Sequence, residues 1–352
     1  MAENKKSWQS WALLAAIISL ALNNETMSLV NDVSIDMGIR RVYGLIASAS
    51  LWGMPLIAML MGNYFFGSTY SRNNRTLWRF MLPTAMVSCG FWWIVSAAIQ
   101  MQENYPGELD LQTFVQCMGE VLEAPGNIRF CHMVCSMFLL YPLLQRIARD
   151  KSVLRYSVIL LFLIALVEPL LWGIPYVQEL RLFLDQLNWG FFRAWGFYIL
   201  LGALLNKEEF SWQARLIVYC LGIISVGVVY YIAHSLSEGV AFVDLSVMDF
   251  DSPFAAFQAL AVTLFIRQAV KRGSRSIQCL YLEGMWVYVP VICIAGAICN
   301  RIPMFEGNAI IIMMARILII TIITILIIFA FSRLKGFRRL VGCHYDTEEE
   351  RG

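Results

Sequence analysis

At 352 residues, 59% hydrophobic and only 15% charged, the chain carries too little charged surface to stay dissolved as a water-soluble protein of its size. The net charge of +2 says little about partners and points to no nucleic acid. Nine cysteines lie scattered singly with no CxxC pair, so neither a disulfide framework nor a zinc site is indicated, and no metal is expected.

A membrane-spanning helix needs about 20 mostly apolar residues, because each rises about 1.5 Å through a core about 30 Å thick. Runs that meet or approach this length lie near 8–29, 43–66, 78–101, 128–146, 155–174, 188–206, 213–234, 252–270, 277–299 and 308–331. The first follows Lys5 and Lys6, but Asn23-Asn24-Glu25 behind it makes a poor cleavage site, so it reads as a short first span rather than a signal peptide. The expected fold is therefore an all-α integral membrane protein, a bundle of about ten transmembrane helices. One membrane domain covers 1–342 and a short cytosolic tail 343–352.

The segments between the runs test the count. With the N-terminus in the cytosol, the cytosolic segments hold Lys5, Lys6; Arg72, Arg75, Arg79; Arg146, Arg149, Lys151, Arg155; Lys207, Arg215; Arg267, Lys271, Arg272, Arg275; and Arg333, Lys335, Arg338, Arg339, Arg351, which is 20 of the 27 basic residues. The outer segment 102–126 has no Lys or Arg beside its acidic residues. This is the positive-inside asymmetry, and losing one span would invert every later segment. Both termini are expected in the cytosol. The segments 102–126 and 235–251 read as solvated lids.

Charge inside a membrane is expensive, so each intramembrane ionisable residue is a candidate for function. Glu168, Arg193 and Arg316 share the outer half of their spans with Arg129 and His132, and Glu283 lies in the ninth run nearer the cytosol. The first five would line a polar cavity whose arginines hold a phosphate, a carboxylate or sugar hydroxyls. The plainer alternative is that Glu168 pairs with an arginine only to satisfy itself. His132 is the one histidine deep enough to serve as a base, although a lone helical histidine also occurs as a satisfied polar core residue. The basic rim that includes Arg72, Arg75 and Arg149 could grip the phosphates of a nucleotide-like cosubstrate, or simply orient the spans against anionic lipid. No glycine-rich loop indicates nucleotide hydrolysis.

Six stretches, in order along nearly the whole chain, resemble the membrane acyltransferase-3 family. They are Gly62-Asn63-Tyr64-Phe65 at the end of 55–65; Asn127 to His132 running on to Tyr141-Pro142-Leu143-Leu144; Phe197-Tyr198-Ile199-Leu200-Leu201-Gly202; Asp251-Ser252-Pro253-Phe254; Gly284-Met285-Trp286-Val287-Tyr288-Val289-Pro290; and Arg338-Arg339-Leu340-Val341-Gly342. The resemblance implies a ten-helix O-acyltransferase of a bacterial inner membrane. It would move an acyl group, often acetyl, from cytosolic acyl-CoA as cosubstrate, with no bound cofactor, onto a surface carbohydrate or its lipid-linked precursor. Membrane lipid, a glycolipid acceptor and polysaccharide-assembly proteins are the implied partners. The family's first-span Arg and His are absent here, and Asn23 falls nearest the His position. The other family histidines match Asn127 and Val289. Candidate catalytic residues are therefore His132, Glu168 and Asn23; candidate substrate contacts are Arg129, Arg193, Arg316 and Glu283; Arg72, Arg75 and Arg149 are candidates for acyl-CoA. Two alternatives stay open: a non-catalytic member of the same fold that binds or carries a glycolipid, and a secondary transporter.

Overall fold

The computed structural model describes residues 2–30, 35–66, 81–105, 110–123, 127–167, 194–235, 250–270, 277, 280–300, 309–334 and 336–341. In chain order the α-helices are α1 (Ala2–Val30), α2 (Met37–Ala49), α3 (Gly53–Phe66), α4 (Leu82–Asn104), α5 (Leu111–Glu123), α6 (Asn127–Leu139), α7 (Tyr141–Arg149), α8 (Lys151–Leu161), α9 (Ala194–Leu205), α10 (Trp212–Ser235), α11 (Pro253–Ala269), α12 (Tyr288–Asn300) and α13 (Ala309–Arg333). No strand occurs among the described residues. Five stretches are long and apolar enough to cross a bilayer: Ser7–Val30, Met37–Phe66, Leu82–Gln102, Trp212–His234 and Ile310–Arg333. The chain is an all-α membrane protein.

Each of the ten apolar runs carries helix, but several are interrupted where local chemistry requires it. The run 43–66 starts earlier, at Met37, where Asp36 caps the Gly38 N–H at 2.7 Å, and it breaks at 50–52. The run 128–146 divides at Leu140, since Pro142 has no N–H to return to the carbonyl of Phe138. In 155–174, α8 is capped by Asp150 and passes into a π-helical turn at Phe162–Val167. The ninth run is shorter than expected. Helix begins only with a 3-10 turn at Met285–Val287, after Gly284, and Glu283 stands in the turn before it, not within a span. Pro290 fits there because the first turn of a helix needs no N–H donor.

The chain divides into two compact units, Met1–Ser71 with Leu143–Ile277, and Arg72–Pro142 with Gln278–Gly352. In the first unit the tightest crossing joins α3 to α9. A Cβ on Gly62 would collide with the backbone carbonyl of Ile199, and one on Gly202 with that of Met59. Only two glycines facing each other allow the backbones so close, as small residues do between helices in lipid. Around this crossing Gln9 Nε2 donates to Asn63 Oδ1 at 2.6 Å, Asn63 Nδ2 to the Gly202 carbonyl at 3.2 Å, and Asn206 Nδ2 to the Asn63 carbonyl at 2.7 Å. Arg267 Nη1 donates to the Leu205 carbonyl at 2.6 Å, and Lys207 Nζ to that of Arg149 at 2.8 Å. The beginning of α1 and the ends of α3, α7, α9 and α11 therefore gather at one end of this unit.

In the second unit the segment 102–126 is not a loosely solvated lid. It holds α5, whose Cys117 and Val121 pack on Ala97 and Met101 of α4 with Trp93, Tyr105, Phe114 and Met118 around them. The reason is amphipathic spacing, which gives this acidic helix a dry face. Glu120 accepts from Gln100, Tyr105 and Gln116 at 2.9–3.1 Å, which ties its charge to the same face. At the chain's far end the 3-10 turn Arg338–Val341 presents the Leu340 carbonyl to Ser88 Oγ (2.8 Å) and Trp92 Nε1 (2.9 Å) of α4. Trp92 also stacks on Phe331 of α13.

Two outcomes are expected. Gly62→Ala or Gly202→Ala forces α3 and α9 apart and costs about 3 kcal/mol, read as a drop in thermal unfolding temperature. Gly90→Ala, with nothing within 4 Å, leaves that temperature unchanged or higher. Asp110 starts α5, and the Thr113 hydroxyl and then its N–H (2.6 Å) hold the carboxyl below the usual range. A depressed folded-state value means that this cap is intact above about pH 4 and is lost as pH falls through the lowered value. Amide protection at the start of α5, taken against the intrinsic exchange rate at each pH, should fall on that descent, and Asp110→Asn, which still caps, should abolish the fall.

Candidate functional site

The break at 50–52 lies near the middle of the 30-residue stretch Met37–Phe66, roughly 20 Å from either end. A helix that stops there leaves carbonyls without an intrahelical partner, in surroundings where no bulk water can take them. Each finds a side chain. The Ala47 carbonyl accepts from the Ser50 N–H and Oγ, both at 3.0 Å, and from Asn23 Nδ2 at 3.5 Å. Ser48 accepts from Gln258 Nε2 at 2.9 Å, Ala49 from Trp52 Nε1 at 2.9 Å, and Ser50 from Ser19 Oγ at 2.9 Å. Asn23 Nδ2 also reaches Ser50 Oγ at 3.4 Å.

The donors come from two further helices because those helices pass close. On α1, Ser19 and Asn23 are four residues apart and so share a face. That face is pressed to the break, for a Cβ on Gly53 would meet Leu20 Cγ at 2.9 Å and the Ala16 carbonyl at 3.1 Å. Gln258 lies on α11, which starts behind a Ser252 cap and Pro253 and packs on Gly222 of α10. At the other end of the same unit, the Tyr198 hydroxyl of α9 donates to the Phe250 carbonyl just before α11, at 2.7 Å.

This is a discontinuous helix within an apolar stretch long enough to cross a bilayer, with hydroxyls and carboxamides bonded to the backbone at the break. Irregular backbone within a membrane occurs where it is buried or borders a cavity, and broken helices of this kind form binding sites in membrane proteins. Ser19 and Gln258 escaped the sequence reading. Gln258 is 3% exposed, and a single hydroxyl or amide in an apolar run raises no alarm of the kind a charge does.

Of the residues singled out from sequence, Asn23 is in this site. Its role there is to donate to backbone and to Ser50. Arg316 is half-buried on α13 and Glu283 half-buried in the turn before Met285, both in the second unit. His132 and Arg129 stand on α6, with side chains outside the described set. Glu168, Arg193, Arg72 and Arg75 lie outside the described residues. Arg149 is exposed at the end of α7. Among the described residues no group of His, Cys, Asp and Glu could hold a metal ion. No known protein family, curated protein or solved structure matches the chain.

Ser19→Ala leaves the Ser50 carbonyl without its side-chain donor and should cost about 1–2 kcal/mol of stability. Asn23→Ala removes two long hydrogen bonds and should cost less, about 0.5 kcal/mol. Denaturant titration in mixed micelles measures both.

Proposed function

We propose that the chain is a ten-span O-acyltransferase of a bacterial inner membrane, with both termini in the cytosol. It takes an acyl group, acetyl by resemblance, from acyl-CoA and places it on a hydroxyl of a surface carbohydrate or its lipid-linked precursor. The observation that carries this reading is that the family-like stretches meet in pairs within the fold. Gly62 of the second apolar run faces Gly202 of the sixth run, Tyr198 of the sixth run bonds the backbone two residues before Ser252-Pro253 of the eighth run, and Phe138 of the fourth run meets Trp286 of the ninth run edge-on at 5.5 Å. Five of the six weak motifs pack in this way within their own units, which supports a shared architecture better than their order along the chain does.

The topology has support of its own. Gln9, Asn63, Arg149, Asn206, Lys207 and Arg267 gather at one end of the first unit, which is the end that the basic segments assign to the cytosol.

In the reaction the acceptor hydroxyl attacks the thioester carbonyl, a base takes the hydroxyl proton, and the C–S bond breaks to release CoA as its thiol. Asn23 is no base, because a carboxamide does not exchange a proton near neutral pH. His132 or Glu168 takes that part. Arg129, Arg193, Arg316 and Glu283 are the groups for the acceptor, and Arg72, Arg75 and Arg149 for the phosphates of CoA. Membrane lipid and polysaccharide-assembly proteins complete the expected partners.

A second reading is favoured by one observation: the residue at the family's His position is engaged in capping a helix break. On that reading the chain binds or carries a glycolipid without transferring anything. The two separate in one experiment. Proteoliposomes holding the chain are given radiolabelled acetyl-CoA and bacterial glycolipid extract. Label transfer with CoA release is expected, and His132→Gln should slow it by about 10²-fold or more. Folded protein that neither transfers label nor releases CoA refutes the acyltransferase.

A further inference from the structure

The elbow between α7 and α8 holds more positive charge than the chain neutralises there. Arg146, Arg149, Lys151 and Arg155 are exposed, and Lys207 and Arg267 are held beside them by the carbonyls of Arg149 and Leu205. The carboxylates on these segments are Asp150, Glu208 and Glu209, three against six cations. Asp150 accepts from the N–H groups of Ser152 and Val153 at 2.8 and 3.1 Å, so it faces the start of α8. Glu208 is shared between Arg155 and Lys151, the latter at 3.7 Å, and one carboxylate cannot balance both. Arg146 and Arg149 have no ion pair among the described residues.

Two features put this charge at the level of lipid headgroups. Tyr156 on α8 is 65% exposed and Trp212 at the start of α10 is 64% exposed, and such amphipathic rings gather where a bilayer meets water. From Val153 the exposed side chains of Tyr156, Ile159 and Leu163 recur at helical spacing along one face. The helix rises roughly 15 Å from Val153 to Leu163, which is the depth of one leaflet's hydrocarbon. We infer that the elbow docks an anionic phospholipid, its phosphate on Arg146, Arg149 and Lys151 and an acyl chain along Val153, Tyr156, Ile159 and Leu163. A zwitterionic headgroup brings an ammonium of its own to the excess charge, so it gains less. The phosphates of CoA suit the same cations, but its nucleotide is polar and gains nothing from an apolar stripe of that length. The docking does not rest on acyl transfer, and Arg149 is the one cation that both readings use.

The test titrates phosphatidylglycerol and, separately, phosphatidylcholine into the full chain in dodecyl maltoside, with bound lipid counted by native mass spectrometry. Neither CoA nor acceptor is present, so the measurement stands apart from acyl transfer. The first phosphatidylglycerol should bind about tenfold tighter than the first phosphatidylcholine. Arg146→Gln, Arg149→Gln and Lys151→Gln combined should remove that preference, while Arg333→Gln with Arg339→Gln, in the second unit, should leave it unchanged. Equal affinity for the two lipids overturns the docking surface. So does an equal loss in both variants, which marks a diffuse basic rim. If the triple variant does not fold, amide exchange on the unaltered chain decides. Phosphatidylglycerol should then slow exchange in the peptides covering 143–160 more than phosphatidylcholine does, and protection confined to other peptides refutes the site. A last arm adds CoA alone. If CoA binds through these three residues and phosphatidylglycerol shows no preference, the cations belong to nucleotide phosphates and the lipid is overturned. Phosphatidylglycerol preference alongside absent label transfer would retain the surface and reject the acyltransferase; the reverse pattern would reject the surface alone.

Discussion

A backbone that leaves its helix inside a bilayer must find every hydrogen bond within the protein. The first unit is arranged around one such place, the break at 50–52. Four successive carbonyls from Ala47 to Ser50 take donors from α1, from α11, and from Ser50 and Trp52 of the break itself. The close crossings follow from this requirement. Short side chains such as serine reach a neighbouring backbone only if the helices nearly touch, and Gly53, Gly62, Gly202 and Gly222 allow them to.

The all-helical, membrane character was legible because lipid imposes one simple rule on a spanning segment, that it be long and apolar, and five stretches among the described residues meet it. The interruptions were harder to read. Gly53-Met54-Pro55 is a helix-start signal, with proline where no N–H is needed, but it sits inside an apolar run and hydropathy passes over it. Pro142 marks the break before α7 by the same chemistry. Helix α5 was obscured by its acidic neighbours, although Phe114, Cys117 and Val121 recur at helical spacing and supply its dry face.

The candidate site was legible only in part, for a related reason. A search for intramembrane charge finds Arg316, and a comparison with the family finds Asn23. Neither approach weighs a hydroxyl or a carboxamide, whose penalty in lipid is met one hydrogen bond at a time. Ser19 and Gln258 acquire meaning only once their partner carbonyls are known, and the one that Gln258 meets, that of Ser48, lies 210 positions earlier in the chain and is free only because the helix breaks there. Sequence spacing does not encode that pairing.

Asparagine at position 23, where the acyltransferase-3 resemblance would place a histidine, has a physical reading. An imidazole and a carboxamide both donate hydrogen bonds, but only the imidazole changes its proton near neutral pH. At a site whose backbone must be capped, asparagine keeps the structural half of that function and gives up the titrating half. The capping is independent of any proton transfer. A base for any proton transfer has to come from outside the break, whose hydrogen-bonding side chains are hydroxyls, carboxamides and an indole that do not titrate near neutral pH.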